Sequence, residues 1–485
     1  MLLCLGSFMV HDGKLTVFFP VACHTDHVGP GSTFVAIAGT SCDGMQFIPA
    51  ALSRGAARII IQQDAKLPAE IEDAIVCAGA ILERVADCRK ALARLSAQAA
   101  GYPADKLSII GITGTKGKTT TAYLLEQILR GCGYCTALLS TAGVSIRGKQ
   151  LPDTSLTTPH ADYLHQFFAD CVREGVTHIV MEVAAQAVTM HRVDGILFDG
   201  LIFTNLALEH LEFYPSMDKY FAAKAALFEQ LKVGAPLLIG IGDEWCDRLA
   251  AYYLRALRFG CDTDVDYVAR IDGASSEQVV LELRRDATMC RLTCPALCGA
   301  FNGVNLAGAA AMALELGCDS SALAVSLKSF AGIPGRLQRH QLPNGAIGII
   351  DYAHNPLSYE ALLSTLCSMT DNLIVLFGAG GDRDASRRPQ MGQIAAHYAD
   401  HVVLTSDNPR TEDPFVIIDE IRAGIVASDQ HKVKVVLDRQ EAIGFAYGLS
   451  GPGAIVALLG KGPDEYQIVG NEKIPFSERR ILESL

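Results

Sequence analysis

Positive charge is what this chain is short of. Its 41 Lys and Arg are outnumbered by 53 Asp and Glu, a formal net charge of −12. That balance excludes a general nucleic-acid binder, which needs a broad basic face. Also missing is any apolar run long enough to cross a bilayer as a helix. The segment Met1-Leu-Leu-Cys-Leu-Gly-Ser-Phe-Met-Val10 is apolar, but it has no basic n-region and His11-Asp-Gly-Lys14 interrupts it, so no secretory signal is read there. Repeats and low-complexity tracts are absent. The fifteen cysteines are scattered. Cys132-Gly-Tyr-Cys135 has no second pair at zinc-finger spacing, and Cys290, Cys294 and Cys298 have no accompanying histidine. Buried free thiols in a reducing cytosol account for them better than a metal site or a disulfide framework. A cytoplasmic protein is expected, with neither membrane nor nucleic acid as partner.

What is present is concentrated in one stretch, Gly111-Ile-Thr-Gly-Thr-Lys-Gly-Lys-Thr-Thr120. It follows the apolar Leu107-Ser-Ile-Ile110 and leads into Ala122–Leu129, which reads as a helix. Strand, glycine loop, Lys-Thr and helix form a recipe for holding a nucleotide triphosphate. Glycines let backbone N–H groups turn towards phosphate oxygens, Lys118 adds charge, Thr119 can hold Mg²⁺, and a helix N-terminus favours anions. The common G-x-x-x-x-G-K-[ST] pattern would place glycine where Ile112 stands. The tighter run Gly114, Thr115, Lys116, Gly117, Lys118, Thr119, Thr120 narrows the choice of nucleotide-binding family.

The chain, half of it hydrophobic, is long enough for roughly two to four domains. In a first block, Thr33–Ala38 and Ala56–Gln62 read as strands, Phe47–Ser53 and Leu82–Ala100 as helical, and Gly101–Lys106 as a linker. The second block opens on the phosphate loop. Strand-like Ile179–Met181, Leu201–Thr204 and Leu237–Ile239 alternate there with helical segments, which argues for a mostly parallel sheet, and β character follows over Val265–Leu292. A second linker, Ala331–Gly335, precedes a third block with strand-like Ile347–Ile350, Leu373–Phe377, His401–Leu404, Val433–Leu437 and Ala454–Leu458. In open α/β sheets ligands bind at the carboxyl ends of such strands.

Several side chains at strand ends carry chemistry. Glu182 ends an apolar strand beside the phosphate loop, well placed to hold Mg²⁺ directly or through water. His210, in Asn205-Leu-Ala-Leu-Glu-His210, could reach the same edge; read alone it is equally a satisfied loop histidine. Lys224, among alanines in a helical stretch, reads by itself as a solvated helix face. In the third block, Asp351-Tyr-Ala-His-Asn-Pro356, Gly378–Asp384 and Asp407-Asn-Pro-Arg410 each follow a strand. Arg383 and Arg410 can each grip a carboxylate in a fork, which suggests a small carboxylate substrate.

With these motifs assembled, the chain resembles the Mur ligase family, ATP-dependent amide-forming enzymes of peptidoglycan synthesis, over essentially its whole length, and within it the MurE type. Block one carries Pro30–Gly39 and Asp43-Gly44. Block two carries the ATP loop, Leu156-Thr-Thr-Pro159, Met181-Glu-Val183, Phe203-Thr-Asn205, Glu209-His-Leu211 and Ala223-Lys-Ala225, followed by Gly299–Asn305 and Pro334-Gly-Arg336. Block three carries Asp351–Pro356, Gly380–Asp384, Asp407–Arg410 and Gly460-Lys-Gly462. The resemblance implies an α/β, three-domain architecture: a UDP-substrate-binding domain over 1–101, a central P-loop ATPase domain over 107–332 and a Rossmann-like, amino-acid-binding domain over 336–485.

The resemblance also implies roles. Lys224 matches a lysine carbamoylated by CO₂, which turns a cation into an anion able to hold a second Mg²⁺; Lys118, Lys224 and His210 are then the catalytic residues. Thr119, Glu182, His210 and Lys224 match metal ligands. Asn302, Arg336, Asp351 and His354 match ATP contacts. Thr25, Thr157, Thr158, Ala184 and Arg192 match contacts to the UDP-muramoyl dipeptide, and Arg383, Asp407, Asn408, Arg410, Gly460 and Asp464 match the pocket for the free amino acid. The implied reaction phosphorylates the side-chain carboxylate of D-glutamate in UDP-MurNAc-L-Ala-D-Glu and lets an amine attack the acyl phosphate, with block closure excluding water. A monomer is expected.

Departures accompany the match. A usual serine pair is Ala184-Ala185, Gln186 stands where many relatives have His, the usual Asp-Ser-Arg is His24-Thr25-Asp26, and the usual Gly-Lys-Gly-His-Glu is Gly460-Lys-Gly-Pro-Asp464. Asp407–Arg410 points to diaminopimelate as the third amino acid, whereas Gln186, Lys116 and Pro463-Asp464 lean to lysine. A diamino acid (diaminopimelate, lysine or ornithine) is expected, diaminopimelate slightly ahead. Two rivals remain. A sibling ligase acting on another carboxylate, folylpolyglutamate or secondary-metabolite type, is opposed for folate by the UDP-domain pattern in block one. A non-catalytic nucleotide-binding subunit is opposed by Lys118, Glu182, His210 and Lys224 occurring together.

Overall fold

Short apolar runs closed by glycine or polar turns become the strands, and capped amphipathic segments between them become helices packed on the sheet faces. The computed structural model describes residues 7–11, 14–39, 42–152, 154, 156–207, 213–272, 278–286 and 288–485. These divide into two compact units. The first comprises Met1–Ala269, Leu283–Cys290 and Val304–Leu327; the second comprises Arg270–Glu282, Arg291–Gly303 and Lys328–Leu485.

The first unit begins with a hairpin, β1 (Ser7–His11) and β2 (Lys14–Phe18). A parallel sheet follows in sequence order: β3 (Val21–Ala22), β4 (Thr33–Val35), β5 (Arg58–Gln62) and β6 (Ile81–Val85). Alternation divides its side chains between two cores. Phe34, Ile59 and Ile61 face the helices Ile48–Ser53 and Ala69–Cys77, while Val35 and Ile60 face the helix Cys88–Ala99. The helix expected over Leu82–Ala100 is thus strand in its first four residues and helix from Cys88 to Ala99. Ile81-Leu-Glu-Arg-Val85 pairs with β5, and the helix starts only after Asp87, whose carboxylate accepts from Arg89 N at 2.8 Å and Lys90 N at 3.1 Å. Gly101–Lys106 is anchored: Tyr102 takes φ 49°, its N–H donates to Ala97 O, and Pro103 and Ala104 are buried.

The same unit contains β7 (Ser108–Thr113), β8 (Thr136–Ser140), β9 (Gly143–Ile146), β10 (Lys149–Leu151), β11 (His178–Glu182), β12 (Gly200–Phe203), β13 (Leu237–Gly240) and β14 (Leu257–Gly260), in the spatial order β10-β9-β8-β11-β7-β12-β13-β14. The strands from β8 to β14 run parallel, with β9 and β10 antiparallel at one edge. Strand β7 lies in the middle, buried along Ile109–Thr113. A continuous apolar strand of this kind is what a sheet covered on both faces requires. The β-rich stretch expected after residue 265 forms β15 (Tyr267–Asp272), β16 (Val279–Arg285) and β17 (Thr288–Cys294).

The second unit carries a doubly wound sheet of β18 (Gln338–Gln341), β19 (Ile347–Asp351), β20 (Leu373–Phe377), β21 (His401–Leu404), β22 (Val433–Val435) and β23 (Ile455–Leu459), ordered β18-β19-β23-β20-β21-β22. Only β18 runs antiparallel to its neighbour. Helices Pro356–Cys367, Arg387–Tyr398 and Pro414–Ala423 fill one core, and Arg439–Leu449 and Glu478–Ser484 fill the other. A hairpin, β24 (Tyr466–Val469) and β25 (Glu472–Pro475), completes the unit. No helix among the described residues is long and apolar enough to cross a membrane. The described cysteines are free, and Cys290, Cys294 and Cys298 are buried.

Candidate active site

Strand register assembles the first cluster. Glu182 pairs with Ile112 and Phe203 with Thr113, so β11, β7 and β12 end at one level, with the end of β8 beside β11. The loop Gly114–Gly117 leaves β7 at that edge and runs into the helix Lys118–Gly131, whose first N–H groups have no intrahelical partner. Its shape requires glycine. Gly114 has φ +139° and a Cβ there would lie 2.0 Å from Thr204 Oγ1; Gly117 has φ +82° and a Cβ would lie 2.2 Å from Asn305 Oδ1. The segment after β12 ties the loop down: Thr115 N donates to Asn205 O and Lys116 N to Asn205 Oδ1, both at 2.8 Å, and Thr204 Oγ1 donates to Lys116 O at 2.6 Å.

Two lysines meet on this loop. Lys118 Nζ donates to Gly114 O at 3.0 Å and Thr115 O at 2.9 Å, and Lys224 Nζ donates to the same Gly114 O at 2.7 Å. Lys224 is 1% exposed and its ammonium lies 4.7 Å from the Tyr220 ring centre. Read alone, Lys224 was a solvated helix face; it is instead buried against the phosphate loop. Thr119 and Thr120 are buried in the first helical turn.

Glu182, also 1% exposed, accepts from Ser140 Oγ at 2.6 Å and Thr141 N at 2.9 Å. Around it lie Thr157, whose Oγ1 accepts from Thr141 Oγ1 at 3.0 Å, and Thr158, whose Oγ1 donates to Glu182 O and accepts from Ala184 N, both at 3.0 Å. Arg192 Nη1 donates to Thr158 O at 2.9 Å, so one hydrogen-bonded chain links Thr157, Thr158, Glu182, Ala184 and Arg192. Thr25 sits apart in the turn Thr25–His27. There Arg54, from the end of another helix, donates to Thr25 O and to Asp26 Oδ1, placing a guanidinium where the local sequence offers none. His210 and the motif Glu209-His-Leu211 lie outside the described residues. Among the described residues no three His, Cys, Asp or Glu side chains gather as a metal site; Glu182 and the Thr119 hydroxyl are among the oxygen donors at this edge.

The second unit brings its own loops to one sheet edge. Asp351 ends β19, its carboxylate accepting from Leu337 N and Ala353 N, both at 2.8 Å, and its carbonyl from Gly460 N at 3.1 Å. Arg336 stacks its guanidinium 4.6 Å from the Tyr352 ring centre. His354 is exposed, its Nδ1 2.7 Å from Tyr352 O, and Asn302 is buried, donating to Cys298 O at 2.9 Å.

Asp407 and Asn408, after β21, share a buried cation: Lys461 Nζ lies 3.1 Å from Asp407 Oδ1 and 3.1 Å from Asn408 Oδ1. Gly460, at φ +105°, leaves the space in which a Cβ would approach Asp407 Oδ2 to 2.8 Å. Arg410 donates through Nη1 to Gly381 O at 2.6 Å, and Arg388, 2% exposed, pairs with Glu412 and Glu420 and donates to Gly380 O, knitting the two loops together. Arg383 is exposed on the same loop. Asp464 is half-buried; burial, reinforced by nearby Asp407, raises its carboxyl above the usual range against the pull of Lys461.

Sequence reasoning missed Ser140, Thr141, Arg54, Arg388 and Lys461. Only Lys461 carried a signal, being a lysine enclosed by two glycines inside a quoted motif.

Comparison with known proteins gives three family matches in chain order: a Mur ligase family catalytic-domain model over residues 21–100, a Mur ligase middle-domain model over 112–313, and a Mur ligase glutamate-ligase-domain model over 335–462. The UDP-N-acetylmuramoyl-L-alanyl-D-glutamate–2,6-diaminopimelate ligase of Chlorobium phaeobacteroides is 38% identical over 468 residues, covering 93% of this chain and 89% of that protein. The ligase of the same name from Thermosynechococcus vestitus is 39% identical over 455 residues, covering 93% and 89%. A solved structure of a ligase of that name superposes with a TM-score of 0.65 at 28% identity, covering 96% of this chain and 94% of that one.

Proposed function

The chain belongs to the Mur ligase family, and from that premise we propose that it is the ATP-dependent ligase that adds meso-diaminopimelate to UDP-MurNAc-L-Ala-D-Glu. The observation that carries the proposal is the strand register in the first unit, where the glycine loop, Lys118, Lys224 and Glu182 share one sheet edge with Thr157, Thr158 and Arg192. One side of that edge suits a triphosphate and the other suits the acceptor carboxylate.

In the first half-reaction a D-glutamate side-chain carboxylate oxygen attacks the γ-phosphorus of ATP, the bond to the β–γ bridging oxygen breaks, and ADP leaves. Backbone N–H groups at the helix start, Gly117–Thr119, and the Lys118 ammonium hold the oxygens on which charge develops. Arg192 and the Thr157 hydroxyl orient the acceptor, and the buried Thr158 hydroxyl braces Glu182 and Ala184 behind them. In the second half-reaction an amine of the diamino acid attacks the acyl carbon, phosphate leaves, the amide forms, and the amine gives up a proton. Asp407, Asn408 and Asp464 receive the amino acid's ammonium, and Arg383 and Arg410 its carboxylates.

The donors at the loop suit magnesium, a hard cation that takes oxygen ligands. Thr119, Glu182 and a carbamate on Lys224 would hold it, with His210 completing the set. Bound there, the ion neutralises phosphate charge. Lys224 fits the carbamate role because a buried ammonium is costly; the neutral amine adds CO₂ and releases a proton, leaving an anion at the loop.

The test incubates the protein with UDP-MurNAc-L-Ala-D-Glu, ATP, Mg²⁺ and a pool of amino acids and reads product mass. The expected product is the substrate plus one diaminopimelate residue, with one ADP per amide. Lysine or ornithine in that product would move the assignment to the second reading, which Asp464 in place of the longer glutamate favours; no amide with any diamino acid refutes the proposal.

A further inference from the structure

We propose that Lys461 is a positioning residue for the amino-acid pocket, its buried ammonium bridging Asp407 and Asn408 so that the loop over 407–410 is held ready for the substrate ammonium. This rests on the assignment of that loop as the amino-acid site. The Lys461 side chain is fully buried, and two of its three N–H donors are directed at adjacent residues of one loop. Lysine is almost never so enclosed unless paired. The loop is otherwise held through main-chain contacts: Gly381 N donates to Asn408 O at 2.9 Å, Ile468 N to Asn408 Oδ1 at 2.9 Å, and Gln467 Nε2 to Asp407 O at 3.1 Å.

Behind Lys461 lies a second buried ion pair, in which Arg439 Nε donates to Glu478 Oε1 at 2.8 Å and Arg439 Nη2 to Leu459 O at 2.8 Å. Lys461, Arg439, Asp407 and Glu478 therefore balance to zero formal charge. Stability alone does not call for this arrangement, because apolar side chains of similar volume replace buried ion pairs at little or no cost. A carboxylate fixed in place is required where a substrate ammonium must be received, and the buried cation behind Asp407 fixes it. Lys461, Arg439, Glu478, Asp464, Tyr352 and Tyr359 are the charged and titratable groups that act on Asp407. Burial lowers the Lys461 ammonium and the Asp407 carboxylate beside it raises it. Without the lysine charge the balance turns negative, and Asp464, whose raised carboxyl Lys461 pulls down, takes a proton more readily.

The experiment measures ADP release against diamino acid, ATP and UDP-MurNAc-L-Ala-D-Glu in turn, the other two saturating, for wild type, K461Q and K461R. Glutamine keeps a donor to Asp407 without the charge. K461Q is expected to melt cooperatively, to raise KM for the diamino acid at least tenfold (about 1.4 kcal/mol), to leave the other two KM values within twofold, and to move the acid limb of kcat/KM up by about one pH unit. K461R is expected to return KM to within threefold of wild type. A K461Q enzyme with KM within twofold and an unmoved acid limb, or with all three KM values raised equally, overturns the inference. If K461Q does not melt cooperatively, G460A displaces the same carboxylate while keeping the lysine; an unchanged amino-acid KM in G460A also overturns it. If wild type releases ADP without regard to any diamino acid, the assignment of the loop falls, and this inference with it.

Discussion

Gly114→Ala probes the phosphate loop with the least chemical change. At φ +139° an alanine is strained, at about 1–3 kcal/mol for a backbone region that is essentially glycine-only. Its Cβ would lie 2.0 Å from Thr204 Oγ1, far inside contact distance, so that hydroxyl must move. Moving it breaks the 2.6 Å hydrogen bond that holds Lys116 O, at a further cost of about 1 kcal/mol. About 2–4 kcal/mol is therefore lost from the conformation that cradles phosphate. If that loss falls on the competent loop, kcat/KM for ATP drops roughly 30- to 1,000-fold. Gly175→Ala is the matched control, since Gly175 also has positive φ, +72°, but nothing within 4 Å of an added Cβ. Coupled ADP release and thermal melts on both variants separate strain from collision. G175A should lose stability alone, and G114A should lose ATP turnover out of proportion to its melting shift. A G114A enzyme within threefold of wild type would refute the cradle.

Lys224→Ala should lower ligation by about three orders of magnitude, with partial recovery in formate or acetate, because a small anion can stand in for the carbamate; full activity without added anion would remove the carbamate role. The raised Asp464 carboxyl loses its charge at higher pH than an ordinary carboxylate, so kcat/KM for the diamino acid should begin to fall on the acid side above the usual carboxylate range. Asp464→Asn should abolish that limb and cost roughly 10- to 100-fold at neutral pH, and a limb that survives the substitution would assign it elsewhere. His165 is buried, neither ring nitrogen has a hydrogen-bond partner, and burial lowers its imidazole from the usual 6.5 to about 4. Its neutral form is favoured in the fold, so its contribution is complete above pH 6.5 and is lost as pH falls towards 4, about 3 kcal/mol in all. Urea midpoints at pH 7.5 and pH 5 should differ less in His165→Leu than in wild type; equal differences would exclude His165 as the cause.

The parts of the site that were legible in the sequence are those built by local chain direction. A glycine loop between an apolar strand and a helix declares itself through composition, and Glu182 is recognisable because it ends an apolar run. Contacts made by register across strands were not legible. Ser140 and Thr141 reach Glu182 only because β8 lies beside β11, forty residues later in the chain. Lys224 shows the same limit: its neighbours in sequence are alanines, while its partner is a carbonyl 110 positions away. Leu82–Val85 was misread because a half-exposed edge strand lacks the apolar run that marked β5, and its Leu-Glu-Arg core has high helix propensity. Pairing with β5 overrode that propensity.

The departures from the family pattern have a physical order. At Ala184 the lost serine hydroxyl leaves no gap in the protein's own bonding, because Ala184 N–H is already satisfied by Thr158 Oγ1 at 3.0 Å and Thr158 Oγ1 in turn donates to Glu182 O. The missing group therefore bears on substrate rather than on the fold. At His24-Thr25-Asp26 the local arginine is absent, yet Arg54 supplies a guanidinium beside Thr25 from a different helix, so the cation is relocated rather than lost. At Asp464 the shorter side chain has no such substitute. Its carboxyl stays half-buried near Asp407 and Lys461, and a reach one methylene shorter must be met by the substrate or by the loop. Of the three, Asp464 is the one that bears directly on the choice of diamino acid, because it alone alters a charged contact without another residue restoring it.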